Sequence, residues 1–214
     1  MKKVVLIGDS VRMGYEKYVK ESLREKVEIF SPKDNCKFAQ NILRYLCEWV
    51  QEWKVGEEIE LVHWNAGLWD VLHLYGQDTL STIDYYEEAL KRIVEQMRLF
   101  FPNAKLVFAT STAVVEKGYT KDFCRFNADI EKFNDVAVHA LQPIGVGIND
   151  LYEITKNIPQ KYRSDMTHFN TKEGSKLLGD SVIKAICKNL NISASELEIG
   201  DFELSNIPDS ILGA

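Results

Sequence analysis

The chain has 214 residues, of which 45% are hydrophobic, 27% charged and 11% aromatic, the balance of one globular domain around a single core. Its 26 Lys and Arg against 32 Asp and Glu leave a net charge of −6, which speaks against a nucleic-acid partner bound through clustered basic residues. The N-terminal apolar run, residues 4–7, meets Gly8-Asp9 too soon for a signal-peptide core or a membrane span, so a soluble, cytosolic protein without a membrane partner is expected. Cys36, Cys47, Cys124 and Cys187 stand far apart and form no C-x-x-C pair, the pattern of reduced thiols.

Along the chain, short apolar runs alternate with longer stretches of helical period, the sequence form of a parallel sheet covered by helices. Residues 4–7 form the first strand, and Ser10 enters the first helix. Residues 27–30 form the second strand, followed by Ala39, Ile42, Leu43, Leu46, Cys47 and Val50 on one helical face. After a third strand at 59–64, Leu90, Ile93, Val94 and Met97 mark a helix that ends at Phe101, because Pro102 cannot continue it. A fourth strand at 106–109 precedes a helix marked by Phe126, Ile130, Phe133 and Ala137. A weaker fifth strand at 145–148 precedes the last helix, marked by Leu178, Val182, Ala185 and Ile186. This order, with right-handed crossovers, predicts an α/β protein: a flavodoxin-like three-layer α/β/α sandwich on a five-stranded parallel sheet. Residues 1–190 form the domain. Residues 191–214, where Glu196, Glu198, Asp201 and Glu203 stand among isolated apolar residues without a period, read as an arm packed on the domain or as a homo-oligomer contact.

Ligands of open parallel sheets bind beyond the carboxyl ends of the strands. The loops there read Gly8-Asp9-Ser10, Asp34-Asn35-Cys36, Asn65-Ala66-Gly67-Leu68-Trp69-Asp70 and Thr110-Ser111-Thr112, and Asp165-Met166-Thr167-His168 precedes the last helix. Ser10 leaves a buried strand for a helix N-terminus, which favours developing negative charge. Serine is also a common helix cap, and Gly179-Asp180-Ser181 repeats the tripeptide with no strand before it. In a tight turn, the Asp165-x-x-His168 spacing lets a carboxylate reach the imidazole Nδ1 and leaves Nε2 facing outward as a general base. In isolation the same spacing describes a capped turn with a surface histidine. His63 and His139 read as packing or surface residues, and His73 lies near the rim. With no G-x-S-x-G, no phosphate-binding loop, no G-x-G-x-x-G and no H-E-x-x-H, neither a metal nor an organic cofactor is expected.

Together, the Val5-Leu6-Ile7-Gly8-Asp9-Ser10 block and Asp165-x-x-His168 followed by Phe169-Asn170 and Glu173-Gly174 resemble the SGNH hydrolases, or GDSL esterases, from Lys3 to about Leu190. The resemblance implies a serine esterase with Ser10 as nucleophile, His168 as base and Asp165 as its orienting acid. It also implies an oxyanion hole built from the Ser10 backbone N–H, a glycine N–H and an asparagine side chain. The two middle blocks depart from the family pattern. Cys36 stands where the glycine is usual and can replace it through its own N–H. The third block reads Gly67-Leu68-Trp69-Asp70, so the side-chain donor is Asn65 from a shifted position, the Trp69 indole, or missing; Asn65 is preferred as the better donor at a strand end. Candidate substrate-binding residues are Asp9, Gly67, Trp69, Thr110 and Thr112. The expected partner is a small-molecule ester with a short or acetyl acyl group. Trp64, Trp69, Tyr75, Tyr85 and Tyr86 make a carbohydrate alcohol a candidate, although such aromatics equally cover a sheet edge or a subunit interface. The alternative reading is a ligand-binding module that keeps the crevice without efficient chemistry.

Overall fold

A computed structural model describes residues 1–195 and 197–207. In chain order the strands are β1 (Lys2–Ile7), β2 (Val27–Phe30), β3 (Leu61–Trp64), β4 (His73–Leu74), β5 (Lys105–Ala109), β6 (Phe123–Cys124) and β7 (Gly147–Asn149). The α-helices are α1 (Ser10–Leu23), α2 (Ala39–Trp53), α3 (Ile83–Phe100), α4 (Asn127–Leu141), α5 (Leu151–Thr155) and α6 (Lys172–Leu190). The main sheet has the parallel order β2-β1-β3-β5-β7, with α1 packed on α6 to one side and the row α2, α3, α4 on the other. Its order reverses between β1 and β3, and a parallel sheet opens its ligand crevice at such a point. Ser10 follows β1 and Asn65 follows β3, so both stand at that reversal.

The expected strand limits shift for local reasons. Ile59 is buried but closes a 3₁₀ turn at Gly56–Glu58, so β3 begins only at Leu61. Gly145 adopts a left-handed φ of 84° after the preceding helix, which delays β7 to Gly147. Cys47, expected on the buried face of α2, is exposed, and Phe126 stands just before α4 and not inside it. The small antiparallel pair β4–β6, two residues each, was not expected; it is too short to leave a period in the sequence. Among the residues of the arm that are described, Phe202 is buried against Tyr18 with ring centroids 4.6 Å apart, and the Ser195 N–H donates to the Ser22 carbonyl. Glu196 and residues 208–214 lie outside the described residues. Among the described residues no helix is long and apolar enough to cross a membrane.

Two fully buried titratable groups tie the crevice to the core. His63, in β3, accepts a hydrogen bond at Nε2 from Asn149 Nδ2 (3.1 Å), and burial lowers its pKa to about 3. Asp70 takes the Ala39 N–H at the start of α2 (3.1 Å), supplying the cap that Phe38 cannot, and the Ser81 hydroxyl (2.7 Å). Burial nevertheless raises its pKa to about 7.

The two groups bias stability in opposite directions with pH. His63 binds a proton more readily unfolded, near pH 6.5, than folded, so its contribution is present above about 6.5 and is lost as pH falls toward 3. Asp70 binds a proton more readily folded, so its contribution is fully present below about 3.9 and is lost as pH rises through 7. Between pH 7 and 5 the two oppose each other. Relative to wild type, His63→Gln should therefore gain stability on acidification over that range and Asp70→Asn should lose it, each by at most about 1.4 kcal/mol per pH unit. Urea midpoints at pH 7 and 5 measure this, and identical slopes in all three proteins would remove the buried-group account.

Candidate active site

The nucleophile turn is built by close packing. A Cβ at position 8 would fall 1.9 Å from Asn65 Oδ1 and 2.8 Å from the Arg12 Cβ, so only glycine lets β1 turn into α1 there. Asp9 caps α1 by accepting the Val11 N–H at 2.9 Å, which places Ser10 at the first helical position. The Ser10 backbone N–H has no acceptor among the described residues.

His168 arrives from the opposite end of the chain, 158 residues away, with its Nε2 2.8 Å from Ser10 Oγ. Its Nδ1 is 2.8 Å from Asp165 Oδ2, while the backbone N–H groups of Thr167 and His168 both donate to Asp165 Oδ1 at 2.7 Å. An ionised carboxylate only accepts, so Nδ1 carries the proton and Nε2 accepts from the Ser10 hydroxyl. Burial pushes the Asp165 carboxyl up, but hydrogen bonds from His168 and the two amides outweigh this and bring it down to about 2. It therefore stays ionised near neutrality. The turn is pinned to the segment after β5, since Val115 N–H donates to the Met166 carbonyl and Arg163, stacked on Phe169, donates to Ala113 and Thr155 carbonyls. His73 is committed elsewhere, with Nε2 2.9 Å from Asp129 and Nδ1 2.8 Å from the Gln77 carbonyl.

The oxyanion side differs from the expectation at Cys36. The Cys36 N–H donates to the Gly8 carbonyl at 3.1 Å, so the donor that the resemblance gives to the oxyanion is already occupied. The left-handed conformation of this loop falls on Lys37, φ 52°, whose N–H is held by Asn35 Oδ1 at 2.8 Å. Buried Arg12 stitches the loop down by donating to the Asp34 carbonyl (2.9 Å) and ion-pairing with Glu16. Burial raises the Cys36 thiol to about 11, which keeps it protonated and inert. Asn65 is buried at the end of β3, with Oδ1 unpartnered and packed on Gly8. Burial raises the pKa of the neighbouring Asp9 carboxyl, against the Asn65 amide, the Val11 N–H and the nearby Arg125 cation.

Most candidate substrate-binding residues are buried, and several are committed to packing or internal hydrogen bonds. Asp9 is fully buried in its capping role. Gly67 has φ 143°, and a Cβ there would lie 2.2 Å from Ser111 Oγ, so it serves packing. Thr110 donates to Asp150 and accepts the Tyr152 N–H, which caps α5, and Thr112 is buried without a partner for its hydroxyl. Only Trp69 of this set keeps an accessible surface. Of the other clustered aromatics, Trp64 and Tyr86 are in the core, whereas Tyr75 and Tyr85 face outward.

A cavity of about 210 Å³ opens beside the relay, lined by Tyr119, Thr120, Phe123, Met166, Thr167 and His168 among others. A larger groove of about 560 Å³ runs between α1, β2 and the arm and includes neither Ser10 nor His168. Among the described residues no group of three or more His, Cys, Asp or Glu side chains is placed to hold a metal ion.

Neither a protein-family model nor a curated protein sequence matches the chain. Solved structures do. A lipase/acylhydrolase from Enterococcus faecalis superposes with TM-score 0.71 at 19% identity, over 92% of this chain and all of that one. A GDSL-like lipase from Bacteroides thetaiotaomicron superposes with TM-score 0.65 at 17% identity, over 87% of this chain and 88% of that one. The chain has the fold of the SGNH hydrolases. A carbohydrate esterase family 3 structure from Talaromyces cellulolyticus shares the fold, with TM-score 0.66 at 18% identity over 90% of this chain and all of that one. Within the SGNH fold, the sequence reading missed Arg125, which lies over the Trp69 ring with its Nε donating to the Leu68 carbonyl. The signal available was a single arginine inside the aromatic run Phe123-Cys124-Arg125-Phe126 just before α4.

Proposed function

We propose that the protein is a serine esterase that cleaves small acyl esters through Ser10, His168 and Asp165. The observation that carries this reading is the continuous relay of 2.8 Å contacts from Ser10 Oγ through the His168 ring to Asp165. Ser10 Oγ attacks the ester carbonyl carbon as His168 Nε2 takes its proton, and the carbonyl π electrons move onto the oxygen. The oxyanion is held by the Ser10 N–H at the helix N-terminus and by the Asn65 amide. Collapse expels the alcohol, protonated by His168, and leaves an acyl group on Ser10. Water, deprotonated by the same imidazole, then releases the carboxylic acid. Asp165, ionised throughout, keeps the proton on Nδ1 and stabilises the imidazolium.

The modest cavity beside His168 favours a short acyl group, and the accessible Trp69 ring favours a carbohydrate alcohol, in keeping with the carbohydrate esterase that shares the fold. The test is kcat/KM on 4-nitrophenyl esters of increasing chain length. Acetate and butyrate should exceed octanoate by about 10-fold or more, since a site without room forfeits binding for each added methylene. Equal or rising rates with chain length would replace the short-acyl reading with a lipid one. Absence of turnover on every ester would favour the binding-module alternative that the altered middle blocks suggest.

A further inference from the structure

A guanidinium removed from water is costly unless something answers its charge. Arg125 is 3% exposed, yet among the described residues no carboxylate lies within ion-pair distance of it. Its Nε donates to the Leu68 carbonyl at 2.5 Å, while Nη1 and Nη2 have no hydrogen-bond partner and are not among the side-chain atoms sealed from solvent. Two aromatic faces hold it, with Cζ 5.8 Å from the Trp69 ring centroid and 5.2 Å from that of Phe123, both within cation–π range. Lys37 lies 5.7 Å from the same Trp69 ring, so two cations border one accessible indole in a protein whose net charge is negative.

Three bearings set this arginine next to the reaction crevice, beside the cavity at His168 without lining it. Trp69 belongs to the loop that carries Asn65. Phe123 lines the cavity that His168 also lines. The Arg125 charge is felt by Asp9, the neighbour of Ser10. The antiparallel pair β4–β6 accounts for the placement, because Cys124 pairs with His73 and sets the next residue against the loop after β3. The guanidinium thus presents a pre-placed fork with no protein anion to fill it, a shape that matches a planar carboxylate.

Resting on the esterase reading above, we propose that Arg125 is a substrate-recognition residue and that the ester cleaved here carries a carboxylate, with Trp69 covering the sugar ring when that carboxylate belongs to a uronic acid. The group answered by Arg125 is the same whether it sits on the alcohol, as in an O-acylated uronate, or on the acyl half, as in a hemisuccinate.

Two substrate pairs decide this. One is methyl 3-O-acetyl-galacturonoside against its C6 methyl ester, which differ only in the charge. The other is 4-nitrophenyl hemisuccinate against 4-nitrophenyl butyrate. In the wild type the charged member of one pair should have a kcat/KM higher by about 10- to 100-fold, the usual worth of a charge-assisted hydrogen bond, and the pair that shows it names the half bearing the carboxylate. The ratio should fall to near one in Arg125→Gln and to an intermediate value in Arg125→Lys, which keeps the charge and loses the fork. It should persist in about 0.5 M salt, because a buried cation is little screened; a preference that vanishes there belongs to surface lysines and overturns the assignment. No preference in either pair overturns it as well, and this arm uses only the wild type, so poor folding of a variant does not remove the test. If 4-nitrophenyl acetate is not cleaved at all, the esterase reading has failed separately. Calorimetric binding of the same uronoside pair to Ser10→Ala then reads the recognition alone, with equal affinities for both members counting against it.

Discussion

Replacing Ser10 with alanine is expected to abolish labelling by a fluorophosphonate probe and to lower kcat on short-chain esters by on the order of 10⁵- to 10⁶-fold, the scale seen when a triad nucleophile is removed. The cause is the 2.8 Å contact with His168 Nε2, which makes Ser10 Oγ a hydroxyl whose proton already has an acceptor. Ser181 serves as an internal control. It lies in the same Gly-Asp-Ser tripeptide, but its hydroxyl donates to Asn149 Oδ1 at 2.8 Å and has no base beside it. Ser181→Ala should therefore label normally. Asp165→Asn should fold, bind substrate with little change in KM and lose about 10⁴-fold in kcat, because the amide no longer dictates which imidazole nitrogen carries the proton. Labelling that survives Ser10→Ala, or Asp165→Asn with full activity, would end the relay assignment.

The second large effect is expected at Asn65. A side-chain donor whose hydrogen bond strengthens as the oxyanion forms acts mainly on kcat, and losing one costs about 10²- to 10³-fold. Asn65→Ala should show that loss, with circular dichroism unchanged. Cys36→Ala should keep most activity, because the thiol is inert and its N–H is already given to the Gly8 carbonyl. Trp69→Phe should change kcat little if the indole serves as a ring surface and not as a donor. A large kcat loss in Trp69→Phe with none in Asn65→Ala would move the donor to the indole. Large losses in neither would leave the Ser10 N–H as the principal donor and a weaker catalyst.

The features legible in the sequence are those whose cause is local. Four consecutive apolar residues stopped by Gly8 read as a buried strand, and the helical spacing of Leu90, Ile93, Val94 and Met97 survives intact as a fully buried face of α3. Asp165 and His168 are three residues apart, so a single turn suffices to bring carboxylate and imidazole together, and the spacing makes that contact possible without help from distant segments. Ser10 could be singled out for the same reason, since strand exit and helix start are both encoded within ten residues of the N-terminus.

What depends on distant segments could not be read this way. The fate of the Cys36 N–H is decided by where β1 lays the Gly8 carbonyl, and Thr110 looks like a crevice residue until α5 claims its hydroxyl. Asp70 caps a helix that starts 31 residues earlier, a role no periodicity announces. Arg125 is the sharpest case: its value lies in lacking an anion, and only the assembled fold, with β4 and β6 drawing it over Trp69, shows which charges a chain of many carboxylates has kept away from it. Local sequence determined the five strands of the main sheet, the long helices and the chemistry of each half of the relay. Tertiary packing decided which donors stay free, because a hydrogen-bonding group is available to a ligand only when no other part of the folded chain has reached it first.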